Sequence, residues 1–218
     1  MFAISCSNTR VYTPSASFDS TGGREINDED IKKAYQAKPQ IISPSRLAYY
    51  NLTRKEKNFE KELSKLKNIK STYKIPFILI EGINTQGNTS YYHRRFEKKE
   101  AVSIKKLRLL GARAHADLLL VYSTIAQTEL SVNPWIISSL FLITQLFVPM
   151  YNLKVVFTMN AWLLDIRNGY LYKEISLTRC ARRKYLSIWN IDKGEKKIVS
   201  YLEKKIFPEV IKELNKVL

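Results

Sequence analysis

The sequence is poor in the residues that catalytic and metal chemistry most often needs. Its 218 residues include 2 cysteines, 2 histidines and 7 glycines. Cys6 and Cys180 make no disulfide framework, and together with His93 and His115 they supply no metal-ligand spacing. The glycines form neither a G-x-G-x-x-G nor a Walker loop. No serine or cysteine stands in a nucleophile motif, and no two carboxylates share a convincing context. The sequence therefore nominates no catalytic residue, no metal and no cofactor, and it reads as a non-enzyme. Acidic residues are also scarce, 20 Asp and Glu against 36 Lys and Arg, for a formal net charge of +16. That excess favours polyanionic neighbours, either nucleic acid or an anionic membrane surface.

Charge itself is missing from one stretch. No charged residue occurs from Leu130 through Leu153 in a chain that is 26% charged overall. Its centre, Pro134 to Pro149, is rich in Trp, Phe, Ile and Leu but is bounded by proline and interrupted by Ser138, Ser139, Thr144 and Gln145. A membrane-spanning helix wants about 20 uninterrupted apolar residues, so this run is short for a span. A span would also separate the strands expected on either side of it. Two readings stay open: the insertion folds back as core, or it stays out as a contact surface. In the second, Trp135, Leu140, Phe141, Leu146 and Phe147 meet lipid or another copy of the chain.

What is present reads as one α/β domain, a single mixed sheet with helices packed on it. The chain opens MFAISCSNTR, where the small residue Ser5 precedes Cys6 as in a bacterial lipoprotein cleavage site. Only five residues precede the cysteine, so two readings stay open: the start lies upstream of Met1 and residues 1–25 are the end of a signal peptide plus a flexible tether, or Cys6 is an incidental cysteine near a frayed terminus. Order is expected from 26, with Asn27 capping a short helix and a strand following at Arg46 to Leu52. Phe59, Leu63 and Leu66 recur at helical spacing, and Ile75 to Ile83 reads as a strand buried on both faces. Ile104, Leu107, Gly111 and His115 mark one face of a helix that leads into the apolar strand Asp117 to Tyr122. This strand, helix, strand succession is a βαβ signature. His115 fits a partly buried or helix-terminal histidine.

A long C-terminal hairpin is expected next, with strands from Leu153 to Ile166 and from Tyr170 onward. Asn168-Gly169 signals a type I′ turn between them. On the outgoing strand Leu171, Ile175 and Leu177 alternate with Tyr170, Tyr172 and Glu174, and Cys180 packs as a small hydrophobe. A terminal helix carries Ile198, Leu202 and Ile206 on its buried face, with Pro208 expected to break or kink it. Two basic groups stand out: Arg94, Arg95, Lys98, Lys99, Lys105, Lys106 and Arg108 before and on one helix, and Arg179, Arg182, Arg183 and Lys184 after the hairpin. His93-Arg94-Arg95 reads as a solvated loop or the start of a phosphate site.

The Ala116-Asp117 step before a buried strand and the Asp165-Ile166-Arg167-Asn168-Gly169 turn carry a resemblance. Over roughly 26–218 the chain resembles bacterial envelope lipoproteins whose soluble part is similar to the TolB amino-terminal domain and to the α/β domain of the curli-secretion lipoprotein. It departs from them in the near absence of a signal peptide and in the LYKE sequence after the turn, which lacks a small-residue step. The resemblance implies a periplasmic or surface-side protein of the cell envelope, anchored by acylated Cys6 (palmitate or a related chain). Its role would be structural or assembly, with the bilayer, other envelope proteins or a homo-oligomer as partners. Nucleic-acid binding is the competing reading, although no helix-turn-helix, zinc finger, RRM or KH signature occurs.

Overall fold

The computed structural model describes residues 3–12, 29, 35–41, 43–53, 58–81, 102–132, 151–185 and 191–218. The strands are β1 Ala3–Tyr12, β2 Ser45–Asn51, β3 Ile69–Lys74, β4 Leu118–Val132, β5 Tyr151–Asp165 and β6 Leu171–Tyr185. They form one mixed sheet in the order β1-β6-β5-β4-β2-β3. β1, β6, β5 and β4 pair antiparallel, whereas β2 is parallel to both β4 and β3. The helices are α1 Asn58–Leu63, α2 Ile78–Glu81, α3 Ile104–Arg113 and α4 Ile191–Leu214. The fold class is α+β, a single mixed sheet with helices packed on it.

β5 shows why the sheet forms where it does. Leu153, Val155, Phe157, Met159, Ala161 and Leu163 are buried at every second position, and the residues between them are half-buried. A period of two places all six on one face. That face receives α4 through Ile198, Leu202, Ile206, Phe207, Val210 and Leu214. Phe59 of α1 joins this core edge-on to Tyr122 at 4.8 Å and against Phe207 at 5.1 Å. Leu119, Val121 and Leu164 point to the other face, where they pack with Leu107 of α3 and with Ile75, Ile80 and Ile166.

The two faces are not covered to the same extent. α4 has 24 residues and spans about 36 Å, running beside the sheet from Thr128, which donates to Glu195 at 2.8 Å, to Lys173, which meets Glu213 at 3.1 Å. α3 covers only the end near the β5–β6 turn. Among the described residues, no helix lies over the far half of the second face.

Several expectations change. The tether over 1–25 gives way at Ala3–Tyr12 to an edge strand, with Asn8 opposite Thr178 and Tyr12 opposite Glu174. Ile75 to Ile83 is not a buried strand. It carries the short helix α2, and Phe77, Ile78 and Leu79 are exposed. The strand lies just before it at β3, whose side chains are exposed at all but its first position. Pro208 does not break α4. It sits on the solvent side, where water can satisfy the carbonyl that loses its N–H partner.

Nor is the turn type I′, which needs positive φ at both central residues. Only Gly169 has it, at 73°, and Ile166 to Gly169 form a four-residue loop closed by the Asp165 N–H to the Tyr170 carbonyl at 2.8 Å. A bulge follows. Leu163 pairs with Lys173 and Leu164 with Leu171, which leaves Tyr172 extra and turns it onto the α4 face while Leu171 packs on the α3 face. His115 is exposed, with φ of 54°. It closes α3 as the left-handed residue of a Schellman cap, with Ala116 N–H donating to the Gly111 carbonyl at 3.0 Å.

Candidate interaction site at the distal end of the sheet

Two polar assemblies occupy opposite ends of the sheet. At the turn end, Asp165 is fully buried and accepts from the Tyr172 hydroxyl at 2.8 Å and from the Arg167 N–H at 2.8 Å. Gln40 N–H donates to the same tyrosine oxygen at 2.8 Å, and Arg167 bonds the Gln40 carbonyl at 2.9 Å. Burial, with the adjoining Asp165 carboxylate, holds the Tyr172 phenol well above its ordinary value of 10. Asp117 fixes the start of β2 by accepting from Arg46 N–H at 3.0 Å. Arg108 caps the turn through the Ile166 carbonyl at 3.0 Å and the Arg167 carbonyl at 2.9 Å. Each group here bonds another group of the chain, so the cluster ties the hairpin to β2 and α3.

The other end is built differently. β4 leaves the described structure at Val132 and β5 enters it at Tyr151, with Tyr185 of β6 opposite Tyr151. On the half of the second face that no helix covers among the described residues, two cross-strand rows run Glu129, Lys154, Arg182 and Ser131, Asn152, Lys184. They floor a cleft of about 930 Å³. Lys154 donates to Glu129 at 2.8 Å. That bond and the Lys154 charge hold the Glu129 carboxyl below its usual range, with Arg182 adding to the effect. One carboxylate thus faces three cations. Among the described residues neither Arg182 nor Lys184 forms an ion pair.

On the α4 face, Arg183 lies over the Tyr185 ring at 5.5 Å. With Lys196, Lys197 and Lys204 it lines a second, open groove of about 490 Å³. The Tyr185 hydroxyl fits against Gly194, where a Cβ would stand 1.8 Å from it. Glycine in the first turn of α4 is what lets this ring approach the helix so closely.

Among the described residues the two basic groups of the sequence do not come together. Lys105, Lys106 and Arg108 sit on α3 near the turn, and Arg179 is spent on Glu209 at 2.6 Å. Lys154 is twelve residues from Ile166 along the sheet, about 40 Å. Arg94, Arg95, Lys98, Lys99 and His93 lie outside the described residues, as do Trp135, Leu140, Phe141, Leu146 and Phe147. Lys154, Lys196 and Lys197 were not singled out in the sequence; only the topology brings them beside Arg182 to Lys184. Among the described residues no cluster of His, Cys, Asp and Glu is arranged to hold a metal.

Cys180 packs fully buried on the hairpin, as a small hydrophobe would, and it is also disulfide-bonded. Its partner across the β1–β6 ladder is Cys6. A thioether to a lipid and a disulfide to Cys180 would draw on the same Cys6 sulfur, so the two are mutually exclusive. Among the described residues no helix is long and apolar enough to cross a membrane.

No family model matches the chain, and no curated protein does. Among solved structures it is similar to the PelC dodecamer from Paraburkholderia phytofirmans, with a TM-score of 0.33 and 10% identity over 91% of this chain and 95% of that one. A point variant of the same PelC dodecamer, in a second crystal form, gives 0.35 and 9%, over 91% and 96%. The hypothetical protein CT253 from Chlamydia trachomatis gives 0.35 and 11%, over 79% and 97%. Likeness at this level does not carry a role from one protein to another.

Proposed function

We propose that the chain is a non-catalytic component of the bacterial cell envelope that docks the distal end of its sheet on an anionic membrane. One observation carries the reading. The uncharged segment leaves and re-enters the sheet at Val132 and Tyr151, where Lys154, Arg182, Arg183, Lys184, Lys196 and Lys197 gather on both faces. An apolar segment that joins the sheet beside a group of cations would combine two attachments that are each weak alone. Trp135, Leu140, Phe141, Leu146 and Phe147 would enter the interface while the cations meet headgroups. The disulfide at Cys180 fits an oxidising compartment such as the periplasm. Acylation of Cys6, which the lipoprotein resemblance implies, belongs to a form of the chain in which Cys180 is released.

Vesicle flotation tests the docking. The wild-type chain should float with phosphatidylglycerol vesicles, and Phe141→Ser with Phe147→Ser should lose at least tenfold in partitioning, at about 0.8 kcal/mol per CH₂ withdrawn from the apolar layer. Equal flotation of the two would overturn the membrane reading. A fatty-acid probe added during growth reports on Cys6: label that is present in the wild type and absent from Cys6→Ser supports acylation, and label that is equal in both removes it.

A further inference from the structure

Resting on that membrane reading, we infer that the cleft at the distal end of the second face is a site for a phosphodiester headgroup carrying hydroxyls, held by Arg182, Lys184 and Lys154 with Ser131 and Asn152. The two rows set the geometry. Arg182 and Lys184 are two residues apart on β6 and therefore point to the same side, above Lys154 and Asn152 of β5. A guanidinium presents paired N–H donors that match phosphate oxygens, and the two ammonium groups add charge without imposing a direction.

Neutral groups complete the site. Ser131 and Asn152 form the outer row with Lys184, so a hydroxyl and an amide stand beside the cations. Glu129 would repel an anion if it were free, but Lys154 holds it at 2.8 Å. It thereby fixes the Lys154 ammonium in place, and its remaining oxygen lone pairs accept from the hydroxyls of a polyol headgroup. A volume of about 930 Å³ exceeds what one inorganic ion needs and is of the size that ligand sites have. Arg183 also lines this cleft and borders the groove on the opposite face, where the lysines of α4 lie.

Flotation with vesicles of phosphatidylcholine, with and without phosphatidylglycerol, separates the possibilities. Arg182→Gln with Lys184→Gln should lower partitioning onto phosphatidylglycerol vesicles by roughly 25-fold and leave the weaker binding to pure phosphatidylcholine unchanged. Lys67→Gln with Lys212→Gln removes the same charge at the turn end and should stay within about twofold. Equal losses for the two pairs would overturn the site and leave the membrane reading standing. A wild-type chain that floats with neither vesicle would overturn both. Soluble glycerophosphoglycerol at millimolar concentration should compete only weakly; full release would make the free phosphodiester, and not the lipid, the ligand. Tighter binding to a random DNA duplex with a steep salt slope would also overturn the site. Thermal unfolding of each variant at the wild-type midpoint keeps misfolding out of the comparison.

Discussion

The turn end and the distal end of this sheet use the same three long strands for opposite purposes. At the turn end both faces are covered, by α4 on one side and α3 on the other, and polar groups such as Asp165 are buried only where other groups of the chain saturate them. At the distal end one face has no helix among the described residues, β4 is exposed from Ile125 to Val132, and neither Arg182 nor Lys184 closes an ion pair among those residues. Stability should therefore reside in the first half and recognition in the second. Folding needs apolar area and satisfied polar groups, whereas docking needs a surface on which both are left unfinished.

The largest effect should come from the covered half. Phe59→Ala removes a ring that bridges Tyr122 and Phe207, and it should cost about 3–5 kcal/mol in denaturant unfolding. A loss below about 1 kcal/mol would mean that α1 is not part of the core. Tyr172→Phe comes next. It takes a donor from buried Asp165 and an acceptor from Gln40, at about 1–3 kcal/mol. Because the folded phenol is held above 10, that stabilisation is fully present below pH 10 and is lost as pH rises through the higher folded value. Unfolding curves of wild type and variant should thus stay apart to pH 10 and converge only above it. The smallest effect belongs to the distal end. Arg182→Gln and Lys184→Gln should each stay within about 0.5 kcal/mol of the wild type, and a larger loss in either would show that the distal cations serve folding after all.

The halves also differed in how far the sequence revealed them. The β5–β6 hairpin was legible because Leu153 to Leu163 alternate so regularly, and the helix faces were legible from Leu107, Ile198, Leu202 and Ile206. β3 was not, because an exposed edge strand such as IKSTYK has no apolar side to bury and hence no pattern to read. The apolar run after it looked like the missing strand, yet three of its side chains are exposed. Tyr172 changed faces through a bulge that no residue type announces. In the candidate site, Arg182 to Lys184 were visible as a run of charge. Lys154, Ser131 and Asn152 joined them only through strand register, and Cys6 met Cys180 across nearly the whole length of the chain.

β4 passes from the interior of the sheet to its edge near Thr124, where the β2 ladder ends with the Leu52 N–H on the Tyr122 carbonyl. Up to that point its backbone is held from both sides. Beyond it, in the described structure, Ala126, Thr128, Leu130 and Val132 turn their amides away from β5, while the odd-numbered residues keep theirs on that strand. Deuterium from the solvent would record this as a step along one strand: uniformly slow uptake through Tyr122, then slow and fast amides in alternation to the end. Seating the distal end on a surface would slow the fast set without touching the rest, so a single strand carries both the reference and the signal for docking.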